Sequence, residues 1–264
     1  MSEIGFIGTG KMAKAIINGI FNSFKDMKIF VYDRSENNYS YLKKLNVSFC
    51  DSGEDVVKNA KYVILAVKPQ NYTEVLEDIK REINKETVII SIAAGIGEEF
   101  LTSYLKFTPK FVQVMPNTPL LLGVGAVAIC RGQRVLDFEF EFVKEIFSKS
   151  GVVCEIPKEK MNDIVSINGS SPAFIYYFAK GFLDFAEKKE IEKEKALKLF
   201  CYSLIGSAKM ILNSNKTIDE LISDVCSKKG TTEKGIEVLK ENNFLKIIEK
   251  TCEETSKRAF ELSK

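Results

Sequence analysis

The sequence predicts an α/β protein, with a doubly wound sheet over residues 1–157 and an all-α half over residues 158–264. Three observations predict it. Short, continuously apolar runs alternate with amphipathic stretches in the first part, and a glycine-rich turn follows the first run. After Pro157 strand-like runs give way to apolar residues at helical spacing.

In chain order, Ile4–Ile7, Ile29–Tyr32, Tyr62–Val67, Val88–Ile92 and Phe111–Met115 read as strands. They are β-branched or aromatic and apolar throughout, which suits parallel strands covered on both faces. Met12–Phe24, Tyr72–Ile83 and Glu98–Leu105 are the amphipathic helices between them, implying right-handed crossovers. Ala126–Cys130 and Val152–Ile156 flank a helix near Phe138–Ser148 and extend the sheet at one edge. In the second half Phe174, Tyr177, Phe178, Phe182 and Phe185 share a helical face, and Pro172 starts or kinks that helix after a loose Asn168–Ser171 segment. Further helices are expected over Lys195–Leu212, Ile218–Val225, Glu233–Glu241 and Phe244–Leu262, with Thr217 and Glu220 forming a capping box for the second of these. No internal repeat or linker separates the halves.

Bulk composition excludes several classes. A net charge of +2 gives no drive toward nucleic acid or anionic membrane. None of the apolar runs approaches the roughly 18 residues of a membrane span, and the chain enters its first strand without a basic-then-apolar leader, so a cytoplasmic address is expected. The 6 cysteines are scattered without a CxxC pair and there is no histidine, so a Cys/His zinc site is ruled out and the cysteines read as thiols of a reducing compartment; no metal is expected. The absence of histidine also removes the usual proton carrier of alcohol and hydroxyacid dehydrogenases.

Ile4-Gly5-Phe6-Ile7-Gly8-Thr9-Gly10-Lys11-Met12-Ala13 places Gly8, Gly10 and Ala13 on the three positions of G-x-G-x-x-G/A, between a strand and a helix. Gly8 supplies a tight turn, Gly10 lets a pyrophosphate approach bare backbone, and Ala13 permits close helix packing, while free amides at the helix start face the phosphates. This is the Rossmann-type dinucleotide fingerprint, and Asp33 ends the second strand about 25 residues after Gly8, as that fold requires. Asp33 favours the ribose hydroxyls of NADH, whereas Arg34 and Ser35 can hold the 2′-phosphate of NADPH, so the choice of cofactor stays open. Ala66-Val67-Lys68-Pro69-Gln70 and Met115-Pro116-Asn117-Thr118-Pro119 each end a strand at the edge where an open α/β sheet places its ligand, and Ser91-Ile92-Ala93-Ala94-Gly95 offers small residues at a third. Thr9, Lys11, Met12, Ala66, Val67, Lys68, Pro69, Ala93, Ala94 and Asn117 therefore join the two glycines as cofactor-binding candidates. Gly230-Thr231-Thr232 lies between two helical patterns, where exposed amides can hold a carboxylate, although Thr-Thr before Glu233 also reads as an ordinary helix cap.

With Gly169-Ser170-Ser171-Pro172-Ala173-Phe174, these segments stand in the order and spacing of the pyrroline-5-carboxylate reductase family, which the whole chain resembles. The Met115–Pro119 run is the most specific piece. The resemblance implies NADH- or NADPH-dependent reduction of the C=N bond of 1-pyrroline-5-carboxylate to proline. It implies a substrate carboxylate held by Ser227, Gly230, Thr231 and Thr232, and a ring nitrogen hydrogen-bonded by Thr232 or, less directly, Thr231. It also implies a helical half that dimerises and completes the substrate site, with rings in some members. A protonated cyclic imine needs no histidine. Three departures bear on substrate identity: Lys228-Lys229 replaces the family's Pro-Gly, Ser171 and Phe174 replace Gly and Tyr, and Gln113 replaces an arginine. An imine or hydroxyacid reductase of altered substrate, or a non-catalytic cofactor-binding relative, is the alternative reading.

Overall fold

The computed structural model describes residues 3–35 and 39–262. By contacts the chain divides into one unit of Met1–Pro172 with Cys252–Lys264 and a second of Ala173–Thr251.

The first unit is built on strands β1 (Glu3–Ile7), β2 (Lys28–Tyr32), β3 (Val47–Phe49), β4 (Tyr62–Leu65), β5 (Val88–Ser91), β6 (Lys110–Pro116), β7 (Gly125–Arg131) and β8 (Gly151–Glu155). Among the described residues they form one sheet of order β3-β2-β1-β4-β5-β6-β7-β8. All neighbours are parallel except β6 and β7, so the two strands expected at the edge do extend the sheet, with reversed direction. Helices α1 (Lys11–Ser23), α2 (Tyr39–Leu42), α3 (Gly53–Asn59), α4 (Tyr72–Ile79), α5 (Glu98–Leu105) and α6 (Asp137–Ser148) connect them.

The continuous hydrophobicity of the strands has the expected cause. Successive side chains point to opposite faces, and both faces are covered. Ile4, Phe6, Ile64 and Ile90 pack with Ile16 and Ile17 of α1 and Phe140 and Phe147 of α6. Ile7, Val63, Leu65 and Ile89 pack with Val56 of α3, Leu76 of α4 and Leu101 of α5. Strand β3 and helices α2 and α3 are the strand and α-helices that the apolar pattern did not predict. A three-residue edge strand containing Ser48, with two of its residues exposed, carries no apolar run to read.

The Asn168–Ser171 segment differs from the loose connection expected. Residues Val165–Gly169 wind into a π-helical turn, closed by Ser170 N–H donating to the Val165 carbonyl at 2.8 Å. Asn168 Nδ2 donates to the Met115 carbonyl at 2.6 Å and ties this turn to the end of β6. Helix α7 (Ser171–Lys188) then begins with Pro172 in its first turn, where a missing N–H costs nothing.

The second unit is helical: most of α7, then α8 (Lys193–Asn213), α9 (Ile218–Val225), α10 (Thr231–Glu241) and the first part of α11 (Phe244–Leu262). The capping box of α9 forms as its sequence predicts, Thr217 accepting from Glu220 N–H and Glu220 from Thr217 N–H. Phe178, Phe182 and Phe200 make a ring cluster with centroids 4.8–6.3 Å apart. Among the described residues, α8, α9 and α10 contain no buried position.

Candidate active site

The glycine turn sits at the carboxyl end of β1, beside the point where the strand order reverses between β1 and β4. Gly8 has φ +92°, and a Cβ there would lie 2.7 Å from the Ala66 carbonyl oxygen, so only glycine fits. Its N–H donates to the Tyr32 carbonyl at 2.8 Å. Gly10 caps α1 with extended backbone, and a Cβ built on it meets nothing within 4 Å. That open face, together with first-turn amides that no described side chain caps and no acidic residue competes for, is what a phosphate needs. Ala13 is fully buried in the sheet core, as close helix packing requires.

A cleft of about 720 Å³ opens there. Of the predicted residues, Gly8, Gly10, Asp33, Arg34, Ser35, Ala66, Val67 and Lys68 line it. Thr9 lies behind it, fully buried, and both its N–H (2.7 Å) and its hydroxyl (2.9 Å) donate to one oxygen of Asp33. Ser35 N–H donates to the other oxygen at 2.9 Å. Asp33 is thus committed to holding the glycine turn against the end of β2. Arg34 instead projects outward and pairs with exposed Glu74 of α4. Lys11, Met12, Pro69, Ala93, Ala94 and Asn117 do not line this cleft. The Asn117 side-chain oxygen accepts from Ala126 N–H at 2.9 Å, which fixes the start of β7. Ala93 is buried in the sheet core, and its N–H donates to Ser91 Oγ at 3.3 Å.

In the helical unit Gly230 is the N-cap of α10, with Thr231 and Thr232 its first two residues. Neither threonine caps the helix. The cap makes no described side-chain hydrogen bond, and Glu233 instead accepts from Lys229 N–H at 2.6 Å. The amides of the first turn therefore face outward, with two exposed hydroxyls beside them. The turn before them is tight: Gly230 N–H donates to the Ser227 carbonyl at 2.9 Å, and a Cβ on Gly230 would lie 2.3 Å from Ser227 Oγ. Lys229, where the family has glycine, adopts φ +58°, the left-handed conformation glycine takes without strain. Thr232 also borders an apolar hollow of about 600 Å³, with Met210 of α8 and Ile222 of α9. Sequence reasoning missed Glu74, which pairs with Arg34, and Tyr72, buried behind the cleft-lining end of β4. Both sit in an ordinary amphipathic pattern that marks neither.

No described helix is long and apolar enough to cross a membrane. Residues 158–262 match the family model for pyrroline-5-carboxylate reductase dimerisation, and residues 3–95 that for NADP oxidoreductase, coenzyme F420-dependent. The chain is 33% identical to pyrroline-5-carboxylate reductase 3 of Danio rerio over 98% of its own length and 91% of that protein's. It is 31% identical to pyrroline-5-carboxylate reductase of Escherichia coli strain K12 over 99% and 98%. Its fold superposes on a crystal structure of Plasmodium falciparum pyrroline carboxylate reductase with NADP bound at a TM-score of 0.91, with 27% identity over 100% of this chain and 98% of that one. An imine reductase from Myxococcus stipitatus, 14% identical with a TM-score of 0.57, shares the fold alone. Full-length identity of this order, together with a glycine turn, strand ends and a Gly-Thr-Thr helix start in their expected places, means that the chain belongs to the pyrroline-5-carboxylate reductase family.

Proposed function

We propose that the protein is an NAD(P)H-dependent oxidoreductase that reduces the C=N bond of 1-pyrroline-5-carboxylate to give proline, in the cytoplasm. Kinship along the whole chain carries this reading. The cleft is fitted to the cofactor: Gly8 turns the chain, Gly10 leaves room, and the amides of α1 meet a pyrophosphate. Ala66, Val67 and Lys68 border the cofactor along one wall, while Ala93, Ala94 and Asn117 belong to strand ends further along the same sheet edge. Because Asp33 is committed to Thr9 and Ser35, Arg34 is the side chain left to read the 2′ position, and NADPH is preferred over NADH. Arg34→Ala should raise KM for NADPH about tenfold, the value of one charge-assisted hydrogen bond, and leave KM for NADH unchanged.

Bound reduced nicotinamide supplies the hydride. The chain positions the acceptor. First-turn amides of Gly230–Thr232, with Ser227, hold the carboxylate, and Thr232 hydrogen-bonds the ring nitrogen, Thr231 standing beside it. The substrate nitrogen arrives protonated, which accounts for chemistry without histidine. Residues 1–157 act as the dinucleotide-binding part and residues 158–264 as the substrate and dimerisation part, a division supported by the family match that begins at residue 158. The exposed apolar faces of α7, α8 and α11 support a homodimer as the minimum unit, with rings of dimers open to it.

The test is oxidation of NADPH and NADH in the presence of pyrroline-5-carboxylate, followed by loss of nicotinamide absorbance. Turnover with proline as the product is expected. A chain that binds NADPH yet leaves this imine untouched would refute the substrate assignment.

A further inference from the structure

Strands β4 and β5 open toward the cleft. At their far end Val88 N–H donates to the Lys61 carbonyl at 2.8 Å, whereas at the cleft end Ile92 N–H reaches the Leu65 carbonyl only at 3.5 Å. The Tyr72 hydroxyl fills in at that stretched bond. It lies 2.9 Å from the Leu65 carbonyl and 2.7 Å from Ser91 Oγ.

Proton counting gives the direction of each bond. A carbonyl only accepts, so Tyr72 donates to Leu65. Its oxygen is then free to accept, so Ser91 donates to it, and Ser91 Oγ in turn accepts from Ala93 N–H at 3.3 Å. Tyr72 and Ser91 are both wholly buried, Tyr72 in a cluster whose other buried members are Ile, Val, Leu and Ala side chains and Phe111. Burial, opposed only in part by hydrogen bonds from Ser91 and the Ala93 N–H, holds the phenol well above its ordinary range, so the donor is present at every working pH. A phenylalanine would pack there without the desolvation cost of a hydroxyl. What the hydroxyl adds is the connection.

That connection runs to the cofactor cleft. Leu65 precedes Ala66, Val67 and Lys68, which line it. Ala66 N–H donates to the Ile7 carbonyl at 2.8 Å, and the Ala66 carbonyl oxygen lies 2.7 Å from where a Cβ on Gly8 would stand, so the two backbones run close together. A shift of the β4 end is therefore passed to the glycine turn through this hydrogen bond and the close backbone packing beside it. We propose that Tyr72 and Ser91 form a latch holding the ends of β4 and β5 at the separation that NADPH requires, which makes Tyr72 a positioning residue for the cofactor. The proposal rests on the cofactor reading above.

Calorimetric titration of the full-length protein with NADPH tests it. Tyr72→Phe and Ser91→Ala should each raise Kd about tenfold, the loss of one buried hydrogen bond, and the double variant should be no weaker than the poorer single one. At saturating NADPH, kcat should stay within about twofold of the parent, so the change falls on cofactor affinity rather than turnover. Leu101→Ala, a cavity in the same buried cluster but on α5 rather than on the helix that carries Tyr72, supplies the control. It should lower the melting temperature at least as far while leaving Kd within about twofold. A parental Kd in Tyr72→Phe, or an equal rise in Leu101→Ala, would overturn the latch. If Tyr72→Phe fails to fold, Ser91→Ala alone decides. A parent protein that does not bind NADPH would instead sink the cofactor reading, and the latch with it.

Discussion

In the sheet unit Ile4, Phe6, Ile64 and Ile90 have no exposed surface, whereas in the helical unit Tyr177, Leu199, Leu212 and Leu245 stand 70–81% in solvent. Both regions are rich in large apolar side chains. The difference lies in how many faces each can cover from within. A strand alternates its side chains between two faces, and six helices of the same unit are available to cover them. A helix such as α8 carries Leu197, Leu199, Phe200, Tyr202, Ile205 and Met210 around more than one side, and its neighbours in the unit cover only part of that circumference. One unit completes its own core. The other presents a surface far more apolar than a monomer usually tolerates, the mark of an element built to be covered by a partner.

Four substitutions test that contrast, from the largest expected effect downward. In the sheet unit Glu139 is wholly buried, bonded to Lys61 at 2.8 Å and Lys110 at 2.9 Å. Breaking this pair by Glu139→Gln should cost about 3 kcal/mol of stability in chemical denaturation, with no effect on association. The pH dependence follows from the signs. Burial raises the carboxyl, but the hydrogen bonds of Lys61 and Lys110 outweigh it, so Glu139 lies below the ordinary carboxylate range. Its contribution is present above that range and is lost as pH falls through the folded value. Burial lowers Lys110, but Glu86 and Glu139 hold it above the usual ammonium range. Its contribution is present below that range and is lost as pH rises through the folded value. The Gln variant should show a shallower acid limb than the parent.

Thr232→Ala, in the helical unit, should lower kcat about 10²-fold, as loss of a single transition-state donor does, while the Kd for NADPH stays at the parental value. A fall in cofactor affinity would blur the division between the two units. Leu199→Glu places a charge on the exposed face of α8 and should weaken association about 10²-fold in sedimentation without lowering the melting temperature of the sheet unit. An unaltered dimer, or a parent that sediments as a monomer at micromolar concentration, would break the contrast. The smallest effect is expected at Lys229→Gly, which removes a left-handed lysine at the cost of a more flexible unfolded chain. Stability should rise by about 1 kcal/mol or less.

Much of this was legible because it is local. Gly8, Gly10 and Ala13 carry their roles in their spacing, and Thr217 with Glu220 announces the start of α9. The short strand at Val47–Phe49 was not legible, since an exposed edge has no apolar run to betray it. At the cleft, Asp33 reads from its position as a ligand for ribose. Its partner Thr9 is 24 residues away, and only folding brings the buried hydroxyl and amide onto its carboxylate. Lys229 poses the same difficulty on a smaller scale: the lost glycine is visible in the sequence, but not that the backbone keeps the glycine conformation without it.

Hydrophobic period, turn chemistry and capping act over a few residues, so the sequence by itself determined most of the strands and helices, the glycine turn and the family. Hydrogen bonds between distant residues answer to a different constraint. Each donor and acceptor can be used once, and which partner takes it depends on which groups the sheet carries into reach. Only the tertiary structure decided that Asp33 braces the glycine turn, that Arg34 is left facing outward, and that Tyr72 closes the gap between β4 and β5.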